Sequence, residues 1–157
     1  MKTSLFKVSF AAVSVFAFAA LAVSSASAAT ASATTTGRYQ NKSTGHCLAN
    51  AANSSQSGAT VDAYKCSTSK TSGQDLTYNG STIVSNKLCL KAKGGSGSMP
   101  DFSNCGSGST EQWKYTTSDT IVSKASGLCL SNTGQKVTLA KCTSGNTKEE
   151  WTFTAAS

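Results

Sequence analysis

Six cysteines are the residues of this chain best able to do chemistry: Cys47, Cys66, Cys89, Cys105, Cys129 and Cys142. A thiol can be a nucleophile, a metal ligand, a redox centre or half of a disulfide, and spacing separates these uses. No two cysteines stand in the Cys-x-x-Cys arrangement of redox and zinc motifs, and the single histidine, His46, has no second imidazole to share a metal. His46 reads as an exposed turn residue, and no metal or cofactor is expected. Glu149 and Glu150 are adjacent, so on a strand they point to opposite faces and cannot act as an acid–base pair. The run Gly94-Gly95-Ser96-Gly97-Ser98 reads as a flexible loop, because no helix follows it to hold a phosphate. The chain is therefore read as a non-enzyme with structural disulfides.

The elements that position the cysteines repeat. Residues 120–153 contain four short segments: Ile121-Val122-Ser123, Gly127-Leu128-Cys129-Leu130, Val137-Thr138-Leu139-Ala140-Lys141-Cys142, and Glu149-Glu150-Trp151-Thr152-Phe153. Apolar alternation broken by Gly, Ser, Asn and Thr is a strand signal, and nothing sustains a helical period. An earlier copy runs through Ile83-Val84-Ser85, Leu88-Cys89-Leu90, Phe102-Ser103-Asn104-Cys105 and Glu111-Gln112-Trp113. The first runs through Tyr39, His46-Cys47-Leu48, Val61-Asp62-Ala63-Tyr64-Lys65-Cys66 and Gln74-Asp75-Leu76.

Cys47, Cys89 and Cys129 recur at spacings of 42 and 40 residues, and Leu76, Trp113 and Trp151 at 37 and 38. A unit of this length occurs in propeller blades, but propellers use at least about four of them. Three four-stranded copies suit a closed threefold barrel, so the expected fold is all-β, a β-trefoil with repeats at about 37–79, 80–117 and 118–157. One copy cannot bury its own apolar face, so the three must share a core, with Leu76, Trp113 and Trp151 around the axis. Each copy holds one cysteine pair, which predicts the disulfides Cys47–Cys66, Cys89–Cys105 and Cys129–Cys142. Each bridge is worth about 3 kcal/mol on a chain-entropy argument.

The flanks set the compartment. Residues 1–28 carry Lys2 and Lys7, an apolar run and the ending Ala26-Ser27-Ala28, the pattern of a cleaved secretory signal. That apolar run is short for a membrane span. The expectation is a secreted, extracellular monomer, with an Ala/Thr/Ser-rich flexible segment over 29–36 and the folded domain over 37–157. Loss of Lys2 and Lys7 lowers the formal charge from +7 to +5. The remaining basic residues are scattered singly, unlike the clustered stripe of a nucleic-acid binder. Asn41-Lys42-Ser43, Asn53-Ser54-Ser55 and Asn79-Gly80-Ser81 are glycosylation triplets, meaningful only on a eukaryotic secretory route.

The combination Ser/Thr-Gly-x-Cys-Leu, Val-x-x-aromatic-x-Cys and Gln/Glu-x-Trp-x-Phe/Tyr resembles the ricin-B-type β-trefoil lectin family, over essentially the whole segment after the leader. The resemblance implies a shallow sugar pocket in each competent repeat. In the family an Asp after the Cys-Leu pair binds hydroxyls. A polar residue and an aromatic stand four and two positions before the second cysteine, and an Asn precedes the closing Gln. The chemistry fits a pyranose, whose C–H face stacks on a ring while its hydroxyls need oriented donors and acceptors.

This chain departs from that pattern. The Asp position holds Ala49, Lys91 and Ser131; the aromatic position holds Tyr64, Ser103 and Ala140; the Asn position holds Gly73, Thr110 and Lys148. By this resemblance the carbohydrate-binding candidates are Asp62, Tyr64 and Gln74, with Asn50 or Asn53 substituting for the missing carboxylate. Tyr64 also reads as a strand residue covering the barrel's flank, and Gln74 as a residue serving the fold. Glycans are the implied partners. The alternative is a trefoil that has lost sugar binding and contacts an extracellular protein, as an inhibitor or effector.

Overall fold

The computed structural model describes residues 34–156. The expected leader and residues 29–33 of the expected flexible segment lie outside these residues. The first repeat supplies β1 (Thr35–Asn41), β2 (His46–Asn50), β3 (Ala59–Lys65) and β4 (Leu76–Tyr78). The second supplies β5 (Ile83–Ser85), β6 (Leu88–Lys91), β7 (Asp101–Asn104) and β8 (Trp113–Tyr115). The third supplies β9 (Ile121–Ser123), β10 (Leu128–Asn132), β11 (Val137–Lys141) and β12 (Trp151–Ala155).

The domain starts two residues earlier than the composition suggested. Thr35 and Thr36 pair with Tyr78 and Thr77, and the Thr36 and Thr77 hydroxyls are 2.8 Å apart. Threonine is β-branched and suits a strand once a partner edge is supplied. Gly37 follows where β1 crosses β12: a Cβ there would lie 2.3 Å from the Thr154 carbonyl oxygen and 2.6 Å from the Phe153 ring.

The outer strands of each repeat form the barrel, and the inner pair forms a hairpin. Pairings β1–β12, β1–β4, β4–β5 and β8–β9 build the wall. The Trp113 amide on the Ser81 carbonyl and the Thr120–Glu150 bridge supply the remaining links. The hairpins β2–β3, β6–β7 and β10–β11 lean on one another. Ala59 and Thr60 pair with Phe102 and Asp101, and Asp62 bridges Lys136. The glycine-rich run expected to be a free loop is instead tied down: the Gly97 amide donates to the Leu139 carbonyl at 2.7 Å, and the Leu139 amide to the Ser98 carbonyl at 2.8 Å.

The core repeats in layers of three. Leu48, Leu90 and Leu130 form one fully buried set; Ala63, Phe102 and Leu139 form another. Leu76, Trp113 and Trp151 form a third, also buried. Each indole donates to a backbone carbonyl, Trp113 Nε1 to Leu90 at 2.8 Å and Trp151 Nε1 to Leu130 at 3.0 Å. Leu76 fills the same place without a donor. The three expected disulfides are formed within their repeats. Asn41, in the first glycosylation triplet, is fully buried and caps the β1–β2 turn through Oδ1.

Candidate sugar site on the first repeat

The β2–β3 hairpin is ten paired residues in register, His46 opposite Lys65 through Asn50 opposite Val61. Alternation along β3 sends Val61 and Ala63 into the core and leaves Asp62 and Tyr64 half-buried on the outer face. The Tyr64 hydroxyl donates to Asp62 Oδ2 at 2.8 Å. That bond, and then burial, push the phenol above its usual range. Behind them on β2 lie the buried Cys47, opposite Tyr64, and the buried Ala49, opposite Asp62.

Asp62 is electrostatically unusual here. Arg38 pairs with Asp75 at 2.7 Å, Lys42 with Asp119 and Glu150 at 3.1 and 3.0 Å, Lys91 with Glu111 at 2.9 Å, and Lys93 with Asp101. Of the seven acidic residues, that leaves Glu149 and Asp62. Glu149 is buried and accepts from the Thr143 amide and Asn146 Nδ2, both at 2.7 Å. Asp62 is thus the one carboxylate that is neither ion-paired nor buried.

The other two candidates are placed differently. Gln74 is buried; its Oε1 accepts from the Ser67 amide at 2.8 Å and its Nε2 donates to the Lys65 carbonyl at 3.1 Å. Both ends of the amide are used in closing the loop after Cys66. Glu111 and Glu149 do the same job, accepting from the Gly106 and Thr143 amides at 2.7 Å. Asn50 is fully buried, donating from Nδ2 to the Ser54 carbonyl at 2.8 Å. Neither Gln74 nor Asn50 presents a group to a ligand, so both are corrected to structural residues. Asn53 holds a positive φ of 48° in the hairpin turn, and its carbonyl accepts from Asn86 Nδ2 at 2.9 Å.

The family's Asn position is closed by backbone. Gly73 has φ +69°, its carbonyl accepts from the Asn50 amide, and a Cβ on it would lie 2.1 Å from the Asn50 carbonyl oxygen. His46 is not a turn residue: it opens β2, and its Nδ1 lies 3.0 Å from the Gly134 carbonyl. The approach of the third repeat's hairpin to β3 was not read from the sequence. Nothing local to residues 133–136 signals a contact that only assembly of the barrel creates.

The equivalent faces of the other repeats are filled from within. Lys91, at the family's Asp position, reaches Glu111, and Lys93 takes Asp101, which stands where Asp62 does. In the third repeat Ser131 is buried, and Thr138 and Ala140 offer no ring. A concavity of about 170 Å³ lies elsewhere, lined by Ser118, Thr120, Cys142, Thr143, Ser144, Gly145 and Glu150. It has no aromatic wall, and its carboxylate is held by Lys42. Among the described residues no cluster of three or more metal-ligating side chains occurs, and no helix is long and apolar enough to cross a membrane.

A twelve-stranded threefold fold with this hairpin geometry defines a β-trefoil. Residues 35–151 match the ricin-type β-trefoil lectin domain, and the chain belongs to that family. No curated protein sequence matches it. The agglutinin from Abrus precatorius superposes with a TM-score of 0.69 at 24% identity, over 78% of this chain and 49% of that one. The β-trefoil lectin of the Vibrio vulnificus hemolysin/cytolysin, solved with N-acetyl-D-lactosamine bound, gives 0.66 at 18% identity, over 80% and 98%. GalNAc-T7, solved with UDP, GalNAc and Mn2+, gives 0.67 at 21% identity, over 78% of this chain and 22% of that one. The chain therefore spans about half of the agglutinin and about a fifth of the transferase, and these likenesses establish the fold.

Proposed function

We propose that this protein is exported and binds glycans weakly through one site, on the outer face of the β2–β3 hairpin. The observation that carries this reading is the pairing of Tyr64 with Asp62, an aromatic ring hydrogen-bonded to the one carboxylate left half-exposed and without a cation. The ring supplies the stacking surface for a sugar's C–H face, and Asp62 accepts from its hydroxyls. Carbohydrate binding is the shared property of the family to which the chain belongs, and the Vibrio trefoil carries a bound disaccharide. Weak affinity follows from a site with one ring, one carboxylate and no deep pocket. Three disulfides in a domain of this size fit an oxidising compartment.

The test is an array of immobilised galactosides, N-acetyllactosamine and xylo-oligosaccharides, probed with the chain and with Tyr64→Ala. Binding that disappears in the variant supports the site. Binding that survives Tyr64→Ala moves the site elsewhere, and no binding to any glycan returns the protein-partner reading.

A further inference from the structure

We infer that the sugar site is composite, with Lys136 of the third repeat supplying a hydrogen-bond donor that Asp62, Tyr64, Gln74, Asn50 and Gly73 of the first repeat do not. This rests on the glycan reading of Asp62 and Tyr64. A sugar hydroxyl is both donor and acceptor, so a site that discriminates among sugars needs donors as well as acceptors. The Asp62 carboxylate oxygens serve as acceptors. The Tyr64 hydroxyl spends its proton on Asp62. The amides of Gln74 and Asn50 are buried and donate to the Lys65 and Ser54 carbonyls. The family's Asn position is Gly73, whose backbone leaves no room for a side chain. Lys65 follows Tyr64 directly on β3 and so projects to the opposite face.

One donor is placed by the fold instead. Lys136 forms an antiparallel bridge with Asp62, and the adjoining Ala63 amide donates to the Gln135 carbonyl at 2.8 Å. Residues directly opposite in such a bridge project their side chains on the same side, about 5 Å apart at Cβ. Lys136 is exposed and enters no ion pair among the described residues. The Lys136 side chain therefore leaves the bridge on the side that carries Asp62 and Tyr64, where its ammonium can serve as donor beside the Asp62 acceptor. The ligand chemistry that matches this pair is two neighbouring hydroxyls on one edge of a neutral pyranose, one giving a proton to Asp62 and one accepting from Lys136. An acidic sugar would place like charges together at Asp62 and is disfavoured.

The experiment compares the full chain with Lys136→Met, Lys136→Arg and Tyr64→Ala on the same array, with N-acetyl-D-lactosamine and methyl α-D-galactoside as soluble competitors. Lys136→Met keeps the stem and the backbone bridge, so an unchanged melting temperature is expected together with binding weakened about tenfold, the size of one charge-assisted hydrogen bond. Lys136→Arg retains a donor and is expected to restore most of the binding. Loss of binding in Tyr64→Ala with none in Lys136→Met overturns the composite site and leaves the glycan reading standing. Absence of any glycan binding by the unaltered chain overturns both.

Discussion

In the β2–β3 hairpin Asp62, four residues before Cys66, is bound by a tyrosine hydroxyl; in the β6–β7 hairpin Asp101, four residues before Cys105, is bound by Lys93. One position further into each site the contrast repeats. The first repeat has the neutral, buried Ala49 and Gln74, and the second has Lys91 paired to Glu111. The backbones agree: the Asn50 and Ala92 amides donate to the Gly73 and Thr110 carbonyls at 2.9 and 2.8 Å. The difference is a matter of what the side chains do with their charge. The second repeat pairs both carboxylates with its own lysines and is closed as a site, while the first leaves Asp62 without a cation. Threefold backbone symmetry is required by the shared core; symmetry of function is not.

The comparison can be broken hardest at the closing residue. Trp113→Leu imports the first repeat's solution into the second, leaves the Leu90 carbonyl without its indole donor and opens a cavity. A loss of about 3 kcal/mol in denaturant unfolding is expected, and Trp113→Ala should cost about 3–5 kcal/mol. Leu76→Ala should cost less than Trp113→Ala, because no hydrogen bond goes with it. The next effect is on Glu111. Glu111→Ala takes the acceptor from the Gly106 amide and leaves Lys91 without its partner, for about 1–2 kcal/mol, whereas Glu111→Gln keeps an acceptor for Gly106 and is milder.

On the binding side, Tyr64→Ala should lower glycan binding by about tenfold or more, with Tyr64→Phe intermediate because the ring stays and the bond to Asp62 goes. Ser103→Ala, at the matching place in the second repeat, should leave binding unchanged on the same array.

The smallest effect is pH-dependent. Burial pushes the Glu111 carboxyl up, but the Gly106 amide and Lys91 outweigh it and hold it below the usual range. Asp119 is held low first by its bond to Lys42 and then by the Tyr115 hydroxyl, whose own pKa burial and Asp119 push up to about 12. A carboxylate depressed in the folded state stabilises fully above its unfolded pKa, about 4, and loses that contribution as pH falls through the folded value. The melting temperature should therefore drop on acidification below about pH 4. Glu111→Gln and Asp119→Asn should each flatten part of that limb in a calorimetric pH series, Asp119 the less because its pair is exposed.

Much of this was legible in the residues themselves. The three cysteine pairs, the Leu48–Leu90–Leu130 set and the Trp113–Trp151 pair recur at one period, and a period is a local property of a sequence. Thr35 and Thr36 are strand where composition predicts a flexible segment, because a Thr-rich stretch becomes a strand only when β4 offers an edge. The family resemblance offers Gln74 and Asn50 as ligand groups, with Gln74 also serving the fold. Their amides turned out to face the Ser67 and Lys65 backbone and the Ser54 carbonyl, which only the closed loops bring near.

The sequence alone determined the repeat, the bridges, the all-β threefold core and the family, since these depend on residue types at fixed spacing along one chain. Only the tertiary structure decided that Asp62 keeps no cation while Asp101 does, and that Lys136 comes from the third repeat to stand beside the first. Both outcomes depend on which side chains meet across hairpins and loops, and such meetings are set by barrel closure rather than by any local pattern.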